Sequence, residues 1–244
     1  MVYAVAFHAN GKSVATAGHD GTARLWDTAT GKPRGPALQH KDKLYAIAFS
    51  PNGKLLVTGG NDNTARVWDT ETGRLVCPPL QHQGSVRSLG FSPDSKKILT
   101  GSLDKTARLW DAATGKPLGA AMKHKDQVRA AVYDAKGKYI LTGSLDGTAQ
   151  LWLAQTGESA GAALLHPKGV RAVALSPDGT LALTGGLDGT ARLWATATGK
   201  PVAPPLQHQA LVRAVAFSND GNLILTGSFD KTARLWKVVK TTNQ

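Results

Sequence analysis

The sequence predicts an all-β protein of six repeated four-stranded antiparallel sheets, the last lacking its outer strand. Three observations carry this prediction: tryptophan at an invariant spacing, apolar alternation at the period of a strand, and a turn signal after each alternating segment. Trp26, Trp68, Trp110, Trp152, Trp194 and Trp236 stand 42 residues apart, without insertion or deletion. An aspartate lies six residues before each of them: Asp20, Asp62, Asp104, Asp146, Asp188 and Asp230. Fourteen residues after the first five come His40, His82, His124, His166 and His208. A fixed period of this size marks a repeat architecture, in which one unit is one supersecondary element.

The stretch 86–124 shows the elements of one unit in order. An apolar run ending at Phe91 is the first strand, and Ser-Pro-Asp-Ser at 92–95 is a turn. Lys97 to Gly101 forms the second strand and leads into a tight turn around Asp104. From Thr106 to Asp111, Thr106, Arg108 and Trp110 alternate with Ala107 and Leu109, the period of a third strand. Ala-Thr-Gly-Lys at 113–116 turns the chain into a fourth segment ending near His124. Such a meander has two apolar faces and can bury both only by stacking on its copies around an axis. The innermost strand is built for a crowded centre, with Ala4/Ala6, Ala46/Ala48, Ser88/Gly90, Ala172/Ala174 and Ala214/Ala216; Ala130 and Val132 depart from this pattern. We therefore expect a single domain over 1–244, with units of approximately 1–40, 41–82, 83–124, 125–166, 167–208 and 209–244. The segment after Trp236 lacks the Thr-Gly turn and outer strand of the other units.

Bulk composition narrows the function classes. No run of 18 or more apolar residues occurs, so no transmembrane helix is expected. The start, MVYAVAFHANG, has no basic segment followed by an apolar stretch and a cleavage site, so no signal peptide is expected. With Cys77 as the lone cysteine, a reducing, cytoplasmic interior is the expected compartment. Twenty-nine Lys and Arg against 17 Asp and Glu give a net charge of +12, a surface that attracts anionic partners. The sequence has no phosphate-binding glycine loop, HExxH, paired-cysteine zinc spacing or Gly-x-Ser-x-Gly elbow, so neither enzyme chemistry nor a cofactor or metal is expected.

The repeated Leu-Thr-Gly-Ser-x-Asp-x-Thr-Ala-Arg-Leu-Trp-Asp, followed by Thr-Gly-Lys and Leu-Gln-His, resembles the WD-repeat (WD40) family, and does so over essentially the whole chain. The resemblance implies a WD40-type β-propeller of six blades, and the wording of the linkers resembles bacterial members. It also implies that His, Asp, a strand hydroxyl and the Trp indole form one structural network per blade. In this sequence these are His40, Asp62 and Trp68; His82, Asp104 and Trp110; His124, Asp146 and Trp152; His166, Asp188 and Trp194; and His208, Asp230 and Trp236. The hydroxyl could be the Thr four before the Asp (Thr58 and its equivalents) or the Ser two before it (Ser102, Ser144, Ser228), and both stay open. The first unit has no upstream histidine and should have an incomplete network. The Asp after Trp survives only as Asp27, Asp69 and Asp111, with Leu153, Ala195 and Lys237 elsewhere, so the fold cannot require it.

Positions that vary at a constant phase are the candidates for binding. Val86 and Leu89 are spaced three apart, which breaks the strand period and predicts a bulge that re-aims Arg87. The resemblance implies that this phase, holding Tyr3, Tyr45, Arg87, Arg129, Arg171 and Arg213, lies at the top of a central channel. A second implied contact phase precedes the turn aspartate: His19, Asn61, Leu103, Leu145, Leu187 and Phe229. Arginine forks suit carboxylates and phosphates, and the apolar side chains beside them suit an aliphatic or aromatic anchor. The expected function is a non-enzymatic scaffold that binds a protein or peptide, an acidic segment being the sharpest expectation. The alternatives are a propeller that binds a polyanion or nucleic acid, and an engineered or excised fragment without a native ligand. No membrane partner is expected, and a monomer is favoured over an oligomer formed through the exposed edge. Arg24, Arg66, Arg108, Arg192 and Arg234, with Gln150 interrupting the row, face the same side as the Trp and are expected to pack and hydrogen-bond structurally.

Overall fold

The computed structural model describes residues 1–238, and these hold strands only. Sheet 1 contains β1 (Val2–Phe7), β2 (Ser13–Gly18), β3 (Thr22–Asp27) and β4 (Pro33–Gln39). Sheet 2 contains β5 (Leu44–Phe49), β6 (Leu55–Gly60), β7 (Thr64–Asp69) and β8 (Leu80–Gln81). Sheet 3 contains β9 (Val86–Phe91), β10 (Lys97–Ser102), β11 (Thr106–Asp111) and β12 (Pro117–Lys123). Sheet 4 contains β13 (Val128–Tyr133), β14 (Tyr139–Ser144), β15 (Thr148–Leu153) and β16 (Leu164–Leu165). Sheet 5 contains β17 (Val170–Leu175), β18 (Leu181–Gly186), β19 (Thr190–Ala195) and β20 (Leu206–Gln207). Sheet 6 has three strands, β21 (Val212–Phe217), β22 (Leu223–Ser228) and β23 (Ala233–Lys237). The expected absence of a further outer strand concerns the chain to its end, and residues 239–244 lie outside the described residues.

The short outer strands of sheets 2 and 5 have a reason written in the sequence. In sheets 1 and 3 the outer strands run seven residues, with Gly35 (φ 71°) and Gly119 (φ 69°) absorbing a bulge against β3 and β11. In sheets 2 and 5 the outer strand is two residues long, after the segments Cys77-Pro78-Pro79 and Ala203-Pro204-Pro205. Proline has no N–H to give to the ladder, so pairing resumes only past it.

Two compact units divide the chain, 1–133 and 134–244. Within the first, sheets stack face to face: Ala15, Leu25 and Leu38 of sheet 1 pack with Leu44, Ile47 and Leu56 of sheet 2. Val57, Val67 and Leu80 of sheet 2 pack in turn with Val86, Phe91 and Ile98 of sheet 3. Within the second, Leu183 and Leu193 of sheet 5 pack with Val212 and Ile224 of sheet 6. Stacking this close needs glycine at one point. A Cβ on Gly59 would lie 2.7 Å from Val86 Cγ1 and 2.9 Å from Leu89 Cδ2, inside contact distance.

Among the described residues, no helix is long and apolar enough to cross a membrane.

Candidate functional site

A buried polar chain recurs behind the tryptophans. In sheet 3, Trp110 Nε1 donates to Thr100 Oγ1 at 2.8 Å, and Thr100 Oγ1 lies 2.7 Å from His82 Nε2. His82 Nδ1 lies 2.7 Å from Asp104 Oδ2, so the carboxylate holds the imidazole proton on Nδ1 and leaves Nε2 to accept from the threonine hydroxyl. The backbone N–H of Gln83 and the hydroxyl and N–H of Thr106 complete the shell of Asp104. Sheet 2 repeats the chain through Trp68, Thr58, His40 and Asp62, and sheet 6 through Trp236, Thr226, His208 and Asp230. In sheet 4, Trp152 donates to Thr142 in the same way. The hydroxyl left open by the sequence is therefore the threonine. Ser102 and Ser228 instead bond to Gly84 O and Ala210 O and accept from the N–H of the turn aspartate.

His40, His82 and His208 each follow the outer strand of one sheet and bond the turn and second strand of the next. Sheet 1 has no such histidine. There Trp26 still donates to Thr16 at 2.9 Å, but the Asp20 side chain accepts from the N–H and hydroxyl of Thr22, with no histidine in reach.

Electrostatics follow the geometry. Burial pushes the imidazoles of His40 and His166 below their ordinary range. Burial works to raise the carboxyls of Asp62 and Asp104, but hydrogen bonds from His40 and Thr64, and from His82 and Thr106, outweigh it and hold both well below the usual range. The arginine row joins the same system. Arg66 donates to Gln39 O and approaches Asp62 at 3.5 Å, while Arg192 lies 3.6 Å from Asp188. Gln150 turns to the outer segment, donating to Ser159 Oγ and Gly161 O.

Sheet 5 departs from the pattern. His166 Nε2 still meets Thr184 Oγ1 at 2.6 Å, but Nδ1 stands 3.6 Å from Asp188, and both Nδ1 and Asp188 Oδ2 are buried without a hydrogen bond. In sheets 2, 3 and 6 the residue after the histidine supplies an N–H to the aspartate: Lys41, Gln83 and Gln209. Here that residue is Pro167, which has none.

The first strands carry the binding candidates. Ladder pairing skips one residue in each of β1, β5, β9, β17 and β21, leaving Tyr3, Tyr45, Arg87, Arg171 and Arg213 at bulges. In the first unit the structure brings four candidates together. Tyr3 stacks on His19 with centroids 5.3 Å apart and meets Tyr45 edge-on at 4.9 Å. The Arg87 guanidinium lies over the Tyr45 ring, 3.5 Å from its centroid. His19 Nε2 and Arg87 Nε are buried atoms with no hydrogen-bond partner among the described residues. Asn61 is tied to Asp42 at 2.7 Å, Arg129 donates to Gln127, and Leu103 is half-buried. In the second unit, Leu145 and Leu187 are half-buried and Phe229 is exposed.

Sequence reasoning missed a cavity of about 270 Å³ lined by His8, Asn10, Ser13, Arg34, Phe49 and Glu71. His8 Nε2 lies 3.0 Å from Gly53 O and its ring meets Phe49 edge-on. The signal was a departure from the repeat: Ser50, Ser92, Ser176 and Ser218 occupy the phase of His8. No group of three or more His, Cys, Asp or Glu among the described residues could hold a metal ion.

The family described as WD domain, G-beta repeat matches residues 1–27, 34–69, 75–111, 115–152, 164–195 and 199–237. The chain belongs to that family, and its six sheets are the blades of a WD40-type propeller. No curated protein matches it. Among solved structures it is similar to the computationally designed Ika8 protein, with a TM-score of 0.85 and 28% identity, over 97% of this chain and 71% of that one.

Proposed function

We propose that this propeller is a non-enzymatic binding platform whose contact surface in the first unit is the cluster of Tyr3, His19, Tyr45 and Arg87, and whose ligand is an acidic peptide segment with an apolar anchor. The observation that carries the reading is the Arg87 guanidinium laid on Tyr45 with Nε unpartnered, beside a His19 Nε2 that is also unpartnered. An arginine fork suits a carboxylate, and the Tyr3 and Tyr45 rings beside it suit an apolar anchor. In the second unit, Arg171 and Arg213 at their bulges, with Leu145, Leu187 and Phe229, offer the same chemistry as a separate candidate surface. The repeated His, Asp and Trp are scaffold, which supports a role in binding over catalysis, and the buried Cys77 thiol suits the cytoplasm.

The test is binding of a fluorescent acidic peptide carrying one aromatic residue. Arg87→Glu should abolish the signal, Tyr45→Leu should weaken it, and Arg24→Glu should leave it intact. Equal loss in all three variants would refute the site. The net charge of +12 favours a second reading, a polyanion surface. That reading requires affinity for DNA that falls steeply with salt and is as sensitive to Arg24→Glu as to Arg87→Glu.

A further inference from the structure

One junction recurs between consecutive sheets of each unit, and two faces carry half of it without a partner among the described residues. At the junction, an apolar trio on a first strand sits over the second and third strands of the preceding sheet. Val86, Leu89 and Phe91 sit over Val57 and Val67, and Val212, Val215 and Phe217 over Leu183 and Leu193. The valine that opens each trio fills the space over a glycine. A Cβ on Gly59 would fall 2.7 Å from Val86 Cγ1, and one on Gly185 would fall 2.8 Å from Val212 Cγ1.

Sheet 1 presents the trio alone. Val2, Val5 and Phe7 hold the phase of Val86, Leu89 and Phe91, yet they are 60%, 62% and 73% exposed. Sheet 6 presents the receiving face alone. Leu225 and Leu235 hold the phase of Leu183 and Leu193, but are 49% and 64% exposed where those are 0% and 5%. The seat is vacant as well: among the described residues, a Cβ on Gly227 would meet only Ala214 Cβ, at 3.8 Å.

We propose that these faces are the two halves of an interface between copies of this chain, sheet 6 of one copy stacking on sheet 1 of the next with Val2 seated over Gly227. The occupant follows from the molecule's own junctions. The receiving face has the residues that elsewhere accept a valine-led trio, and Val2, Val5 and Phe7 are such a trio. The contact is heterologous, using different surfaces on the two copies, so association proceeds head to tail. The unpaired edge of β23 is a separate surface and takes no part.

Light scattering over a concentration series tests this. The unaltered protein should gain mass with concentration. Gly227→Val fills the seat from its own side, in open space and within a strand, so the fold should hold while the self-association constant weakens about tenfold or more. Val5→Glu blocks the other half and should do the same. Mixing the two variants leaves one intact head and one intact tail, and a dimer that grows no further should form. A monomeric mass at every concentration for the unaltered protein would overturn the proposal. So would association that survives both substitutions, which would assign it to the β23 edge, or a mixture that yields no dimer.

Discussion

Sheets 3 and 5 share their Trp, Thr, His and Asp at one phase, and they part at the residue after the histidine, Gln83 in one and Pro167 in the other. Both carry the chain from tryptophan through threonine to histidine, yet only sheet 3 completes it to the aspartate. Gln83 N–H gives Asp104 a backbone donor, whereas Pro167 gives Asp188 none, and the His166–Asp188 separation opens to 3.6 Å. The threonine–indole bond thus stands without the aspartate limb, and sheet 1, with no histidine, shows the same at Trp26 and Thr16. The centre of the network holds a strand pair together. The His–Asp limb ties one sheet's outer strand to the next sheet's turn.

The largest break comes from removing the shared hydroxyl. Thr100→Val strands the Trp110 N–H and His82 Nε2 in a buried site, and chemical denaturation should show a loss of about 3 kcal/mol. Thr184→Val should cost as much, since both networks are intact at that point. The histidines should not behave alike. His82→Ala should cost about 2 kcal/mol or more, and His166→Ala measurably less, because Asp188 already lacks that bond. Equal losses would remove the distinction between the two sheets.

Pro167→Gln should move sheet 5 towards sheet 3. A regained N–H to a carboxylate outweighs the chain stiffness lost with proline, for a net gain of about 1 kcal/mol in the free energy of unfolding read by denaturation. Gln83→Pro should do the reverse in sheet 3.

Acid should act in two stages. His40 and His166 resist protonation when folded, so the unfolded chain takes up protons first and stability declines as pH falls through 6.5. Asp62 and Asp104 have carboxyls lowered by folding. Their contribution is present above the ordinary value of 3.8 and is lost as pH falls below it. A denaturation midpoint that stays flat between pH 7 and 5 would contradict the first stage.

The smallest effect belongs to the Asp after tryptophan. Asp111 accepts from Thr114 N and Oγ1, but at Ala195 the backbone bond from Gly199 N closes the same turn unaided. Asp111→Ala should therefore cost only about 0.5 kcal/mol.

Much of this fold was legible, because a period of 42 turns one unit's signals into six readings of one pattern. Even the bulge at Arg87 followed from the three-residue spacing of Val86 and Leu89. The choice between Thr100 and Ser102 was not legible. Both lie on one face of β10 and both are fully buried, so alternation cannot separate them. Register does: Ile98 pairs with Trp110, leaving Thr100 within reach of the indole and Ser102 beyond it, beside Gly84. The site was legible as positions and illegible as contacts. A bulge re-aims Arg87, but its coming to rest on Tyr45 depends on an aromatic in the preceding unit, which the repeat pattern treats as a mere variant.

The indoles that define the period also differ in how much solvent they meet. Trp68, Trp110 and Trp194 are 6%, 5% and 5% exposed, while Trp26, Trp152 and Trp236 are only half-buried. Native fluorescence is thus a sum of short-wavelength emission from the first three and redder emission from the others. An emission spectrum followed through unfolding would therefore report separately on sheets 2, 3 and 5, whose indoles are buried, and on sheets 1, 4 and 6, whose indoles already meet solvent.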